Sequence, residues 1–363
     1  SPDRSPRYTN GPGYQATMSN FPNSAFTYLS RHNPFATVAG LSVGGRVLHD
    51  KLGVLLAGSF QDNYRNVNSV FFGTETDRNN GNATVTSIAS RQYSIEQQRS
   101  GVHAKLDYRI NQNNKLNLYA GYMNLLKNEF RAVSDTNLQL GRTGPGTGRI
   151  SNSNRALHDV QQIFNTTLSG EHTITNHFSV NWTAAWSKAT GNRPDEAKLS
   201  LVTGVSKDPV TGVLVQAPLN LDASSRQFTH SSDEDKSGYL NFNYRTQAGA
   251  LKVDWTAGGM YRDKNRNSSF DNYTLRPTPG IQVYDGDISH NTFTVFNGEG
   301  TSDNALNYTA EEKVGAAYAM AKLEWRQWQL TGGARYENTE LTWLSNVSQE
   351  VKGKTGSINY YDI

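Results

Sequence analysis

The chain has 363 residues, with 35 Lys and Arg against 32 Asp and Glu; the net charge of +3 is spread out and gives no argument for a nucleic-acid partner. Hydrophobic residues make up 36% and no run of eighteen apolar residues occurs, which excludes membrane-spanning helices. A transmembrane β-barrel is not excluded, because its strands need apolar residues on one face only.

Cysteine is absent, so disulfides, thiolate zinc sites and a cysteine nucleophile fall away. The opening SPDRSPRYTNGPGY has neither the basic nor the apolar region of an export signal, so any such signal is expected to have been removed or never included. Thirty-two Gly, 18 Tyr, 14 Phe and 6 Trp suit a β-rich protein with many turns.

Read for alternation, the chain resolves into five hairpins. The first pairs 36–48 (Leu41, Val43, Gly45, Val47) with 53–64 (Val54, Leu56, Gly58, Phe60) across HDKL. In the second, Val102, Ala104, Leu106, Tyr108 and Ile110 face Leu116, Leu118, Ala120 and Tyr122 across NQNN. The third joins 158–172 to 177–188 (Phe178, Val180, Trp182, Ala184, Trp186) across TITN, its first strand weakened by Gln162 on the apolar face. Leu240, Phe242 and Tyr244 meet Leu251, Val253, Trp255, Ala257 and Tyr261 across RTQAGA in the fourth. In the fifth, Ala317, Ala319, Ala321 and Leu323 meet Leu330, Ala334 and Tyr336 across EWRQW.

Between the hairpins lie polar segments, 65–92, 127–157, 189–235 and 263–311, which read as long loops. Long loops are rare in compact soluble domains. Strict alternation of short turns with long loops is the pattern of an outer-membrane barrel, with periplasmic turns and extracellular loops. A propeller would show a recurring motif every 40 to 50 residues or so, and none is found.

A charge on the lipid face near the midplane costs about 2–4 kcal/mol, so one parity of each strand should be free of charge. Lys105, Asp107, Arg109, Lys252, Asp254, Lys322, Glu324, Arg335 and Glu337 all fall on the parity opposite the apolar set, where the two signs can pair in a polar lumen. Phe178 and Trp186 share a face eight residues apart, which at about 3.3 Å per residue and a tilt of about 40° is roughly 20 Å, close to the height of an apolar band between aromatic girdles. Tyr108, Trp325 and Trp328 lie beside short turns, where a periplasmic girdle would run. The alternative is that these aromatics fill a sandwich core.

Motifs with chemical potential are weak. Gly40-Leu41-Ser42-Val43-Gly44 matches a nucleophile elbow, yet it sits inside a strand continuing to Val47 rather than at a strand-to-helix turn. GRTGPGTG at 141–148 lacks the Lys-Ser/Thr of a phosphate loop. His172 and His177 flank a turn without carboxylate or cysteine company and read as solvated. SSDEDK (231–236) and YDGDISH (284–290) concentrate acids in predicted loops; the second lacks the terminal Glu of a calcium loop. Asn165 heads a glycosylation triplet inside a predicted strand. No catalytic residue, metal ligand or cofactor site is assigned, and an enzyme is not expected.

One loop mixes aromatics with polar groups suited to stacking on and hydrogen-bonding an organic ligand. Tyr273, Tyr284, Phe293 and Phe296 crowd there with Asp285 and Asp287, and with Asn272 and Asn291. These residues are the candidate ligand contacts. Packing of the loop on itself is the alternative.

The segment YTAEEKVGAAYAMAKLEWRQWQLTGGARYENTELTW (308–343) resembles the barrel of TonB-dependent outer-membrane receptors, as do VGGRVLHDKLGVLLAGSFQ (43–61) and the hairpin at 100–123. The final NYYDI resembles the start of a further descending strand. The resemblance implies an all-β, antiparallel transmembrane barrel segment of about ten to eleven strands, forming one domain over 1–363. Barrels of this family have 22 strands around a plug, so the chain is expected to be an internal piece, with plug and C-terminal strands outside it. It further implies import of a bulky nutrient (a siderophore, haem, cobalamin or an oligosaccharide), with TonB, the plug and outer-membrane lipid as partners. The alternatives are a complete ten-stranded omptin-type outer-membrane protease and a soluble carbohydrate-binding β-protein.

Overall fold

The computed structural model describes residues 4–28, 34–76, 81–301, 303–347 and 355–362. After a short helix α1 (Pro6–Asn10) and two single 3-10 turns, the chain is almost entirely strand. In order these are β1 (Thr37–Val47), β2 (Leu52–Thr76), β3 (Ala83–Asn111), β4 (Asn114–Asn137), β5 (Gly148–Thr175), β6 (Phe178–Lys207), β7 (Leu214–Gln216), β8 (Asn220–Ala248), β9 (Leu251–Pro277), β10 (Phe293–Val295), β11 (Tyr308–Trp325), β12 (Trp328–Ser345) and β13 (Thr355–Asp362). They form one antiparallel sheet ordered β1-β2-β3-β4-β5-β6-β8-β9-β11-β12-β13, with β7 added to β6 and β10 to β9. Among the described residues β1 pairs only with β2 and β13 only with β12, so this barrel segment is open. NYYDI falls in β13 apart from Ile363, which lies outside the described residues.

The five short turns fall where alternation placed them, and the facing residues pair in register. Val43 stands opposite Leu56, Leu106 opposite Leu118, Leu168 opposite Ala184, Phe242 opposite Ala257 and Ala319 opposite Ala334. Gly249 supplies the left-handed residue (φ 61°) of the β8–β9 turn, a conformation that favours glycine. Residues 40–44 lie within β1, and Ser42 pairs with Ala57.

The apolar parity is the exposed one: Leu41, Val43, Leu56, Val102, Leu118, Leu240, Phe242, Trp255, Tyr261 and Leu330 all keep large solvent-accessible surfaces. On β2 this belt runs from Leu52 to Phe60, about 20 Å of height at a tilt of about 40°. Beyond it the same parity turns polar. Tyr64 and Asn128 donate to Glu96, both at 2.8 Å, and His158 Nδ1 lies 2.6 Å from Asn128, linking β2 to β5 strand by strand.

The polar segments expected to be loops are mostly strand. β2, β3, β4, β5, β6, β8 and β9 are 24 to 30 residues long and run far past the belt, leaving among the described residues the shorter connections that begin at 138, 208 and 278. SSDEDK lies in β8: Asp235 is 2.5 Å from Arg262, and Asp233 is 3.5 Å from Lys264 and 3.6 Å from Arg266 on β9. Where both faces are polar the two-residue period of hydrophobicity vanishes, although backbone pairing and cross-strand ion pairs continue the ladder.

Candidate functional site

At the end of the sheet opposite the tight turns the chain builds different structures on its two faces. On the belt-parity face the key local feature is a bulge in β6. Pro194 has no N–H to give to a ladder, Asp195 takes a positive φ of 51°, and the register with β8 shifts between Arg193 and Glu196. The extra residue switches the parity of β6, so Ala197, Leu199 and Leu201 join Arg226 and Phe228 of β8 and Tyr273 and Leu275 of β9 on one face.

Ala16, Phe21 and Phe26 from the N-terminal segment and Ile288 and Phe293 from the 278–307 connection close over that face as a buried core. A polar clamp fixes it. Arg226 Nε donates to Asp195 Oδ1 at 2.6 Å, Arg226 Nη1 donates to the Pro22 carbonyl at 3.2 Å, and the guanidinium lies 5.4 Å from the Phe21 ring. Ser5 donates to Asp271 at 2.5 Å, Arg7 pairs with Asp271 at 2.7 Å, and the Arg7 amide donates to the Tyr273 hydroxyl.

The candidate ligand residues divide accordingly. Tyr273 and Phe293 are buried at 0% and 7% exposure, their rings occupied by core packing, and burial pushes the Tyr273 phenol up. Tyr284 packs half-buried against the same core and donates to the Gly286 carbonyl at 3.0 Å. Asp285, Asp287 and Phe296 stay at the surface. The Asp285 carboxylate accepts from the Asp287 amide and pairs with His290 at 2.8 Å; the amide bond first and the histidine second hold it below the usual carboxylate range. Asp287 caps the turn at 288–290 by accepting from the Ser289 amide, which lowers it too. The Arg276 guanidinium lies 3.2 Å from the Phe296 ring centroid.

The opposite face is a lattice of charges that continues the lumen parity. Low on the sheet Arg46 pairs with Asp107 and Arg245 with Asp254, each at 2.6 Å, and Arg335 with Glu337 at 2.5 Å. Higher, Arg155 holds Glu129 at 2.5 Å and Glu196 at 3.3 Å, Lys127 holds Glu129 at 3.2 Å, and Arg193 holds Asp159 at 2.9 Å. Burial pushes the Glu129 carboxyl up, but its bonds from Arg155 and Lys127 outweigh that, and the net direction is down. The lower pairs involve Asp107, Asp254, Arg335 and Glu337, which alternation places on the charged parity, whereas the upper lattice, Asp159 apart, and the Arg226–Asp195 pair lie in 127–157 and 189–235, whose composition reads as loop; Pro194 inside an otherwise strand-like stretch is the available signal of a bulge.

No protein-family model matches the chain, and no curated protein matches it. Among solved structures, the siderophore receptor PiuA from Acinetobacter baumannii is similar to it, with a TM-score of 0.44 and 13% identity, over 91% of this chain and 46% of that one. The chain spans less than half of that receptor's length.

Proposed function

We propose that the chain is part of an outer-membrane receptor that binds a bulky nutrient, such as a siderophore, haem, cobalamin or an oligosaccharide, and imports it with energy supplied through TonB. The observation that supports this reading is the division of the strands. An exposed apolar belt of about one bilayer's hydrocarbon height lies on one parity, and paired charges lie on the other. Tight turns close the belt at one end, and the strands lengthen far beyond it at the other. In this reading the belt meets lipid, the charged face lines a plugged lumen, the long strand ends face outside the cell, and the protein carries out no reaction of its own.

The test uses the full-length protein in its host, with and without TonB, grown in turn on ferric siderophore, haem, cobalamin or an oligosaccharide as the limiting nutrient. Growth on one of these should require both the receptor and TonB, and the purified protein should show a heat-modifiable mobility in detergent. A protein that stays monodisperse without detergent, or uptake indifferent to TonB, would overturn the proposal.

A further inference from the structure

One row on the charged face sets like charges side by side. Arg131 of β4 stands directly opposite Arg155 of β5, Arg155 stands directly opposite Lys198 of β6, and Tyr93 of β3 continues the row beyond Arg131. Like charges placed opposite one another weaken a sheet. With strands about 4.8 Å apart, the three cations span about 10 Å.

The acids nearby do not neutralise the row. Lys127, Arg131, Arg155, Arg193 and Lys198 share this face with Glu129, Asp159 and Glu196, and those carboxylates are taken up by Lys127, Arg155 and Arg193. Arg131 and Lys198 make no ion pair with any described residue. The Nε–H groups of Arg131, Arg155 and Arg193 are buried and meet no acceptor among the described residues. A buried donor without an acceptor carries a desolvation penalty, and a guanidinium is a planar fork shaped for carboxylate or phosphate oxygens.

We propose that Arg131, Arg155 and Lys198 form an anion-binding row that receives a carboxylate, phosphate or sulfate group of the transported nutrient. Oxygens of such a group accept from the orphaned guanidinium N–H groups and place negative charge between the opposed cations. Glu129 and Glu196 hold Arg155 in the centre, so its neighbours carry the free charge. Naming the nutrient as the carrier of the anion rests on the transport reading; the row as an anion site does not.

The experiment is equilibrium titration of the detergent-solubilised full-length protein with inorganic tripolyphosphate, with trigalacturonate, and with neutral maltotriose. At least one anion should bind saturably and more weakly as salt rises, whereas maltotriose should not. Arg131→Gln and Lys198→Gln should each weaken that anion at least tenfold. Arg262→Gln, which removes an ion-paired cation elsewhere on the same face, should leave binding unchanged. Retained heat-modifiable mobility shows that each variant is folded, and Lys198→Gln should not lower Tm because it relieves a like-charge contact. No saturable anion binding, or an affinity in Arg131→Gln and Lys198→Gln equal to the parent's, overturns the row. Uptake that ignores TonB while anion binding persists would count against the transport reading alone.

Discussion

Arg226 and Asp195, fully buried on neighbouring strands, meet through two N–H···O hydrogen bonds that join the β6 bulge to β8 beneath the N-terminal segment. Breaking a buried pair strands a charge and costs about 3–5 kcal/mol, whereas replacing both partners with apolar groups costs far less. Asp195→Ala should therefore loosen residues 4–28 and expose them to limited proteolysis, and Asp195→Leu combined with Arg226→Met should restore much of the protection. Identical cleavage rates in Asp195→Ala and the parent would show that the pair does not hold the segment.

Phe21 lies at 1% exposure with its ring centroid 5.0 Å from that of Tyr273. Phe21→Ala removes a large ring from a closed core, a change worth about 3–5 kcal/mol. Hydrogen exchange should rise at Ala16 and Phe26, which share the core, and stay unchanged at the β11–β12 turn. A uniform rise along the sheet would instead mean that the core is not a separate cooperative unit.

Ala257 and Thr256 are adjacent in β9 but face opposite ways, Ala257 pairing with Phe242 on the belt and Thr256 with Asn243 behind it. Arginine at position 257 should cost about 2–4 kcal/mol in folding into lipid vesicles, as expected near the midplane, and arginine at 256 much less. Urea titrations of the two variants in vesicles measure the difference, and equal costs would remove the case for a lipid-facing belt.

The hydrogen bond to Asp285, ahead of the charges of Asp285 and Asp287, raises His290 above the ordinary histidine value. A histidine raised on folding contributes stability that is full below its unfolded pKa, near 6.5, and lost as pH rises through the higher folded one. The pair should thus hold under mildly acidic conditions and release toward alkaline pH. NMR titration of labelled histidine should show the raised midpoint falling toward the ordinary value in Asp285→Asn. An unchanged midpoint would mean that Asp285 is not its cause.

The hairpins were legible because the belt imposes a hard rule. In the proposed membrane setting charge on the lipid side is expensive, which accounts for the alternation of Val102, Ala104, Leu106 and Leu118 with His103, Lys105, Asp107 and Asn117, and the pairing register follows from that pattern. The candidate ligand loop was legible only in composition. Whether Tyr273 and Phe293 face outward or inward depends on Phe21 and Phe26, which lie some 250 residues earlier in the chain.

Alternation by itself determined the all-β class, the five tight turns and the apolar parity, since each follows from what one residue and its next-but-one neighbour can bury. The length of the strands, the parity switch at Pro194–Asp195, the N-terminal cap and the Arg131–Arg155–Lys198 row were decided by tertiary structure alone. Over β4 and β5 beyond the belt both faces are polar and local hydrophobicity carries no period; what fixes those residues is which strand lies beside them.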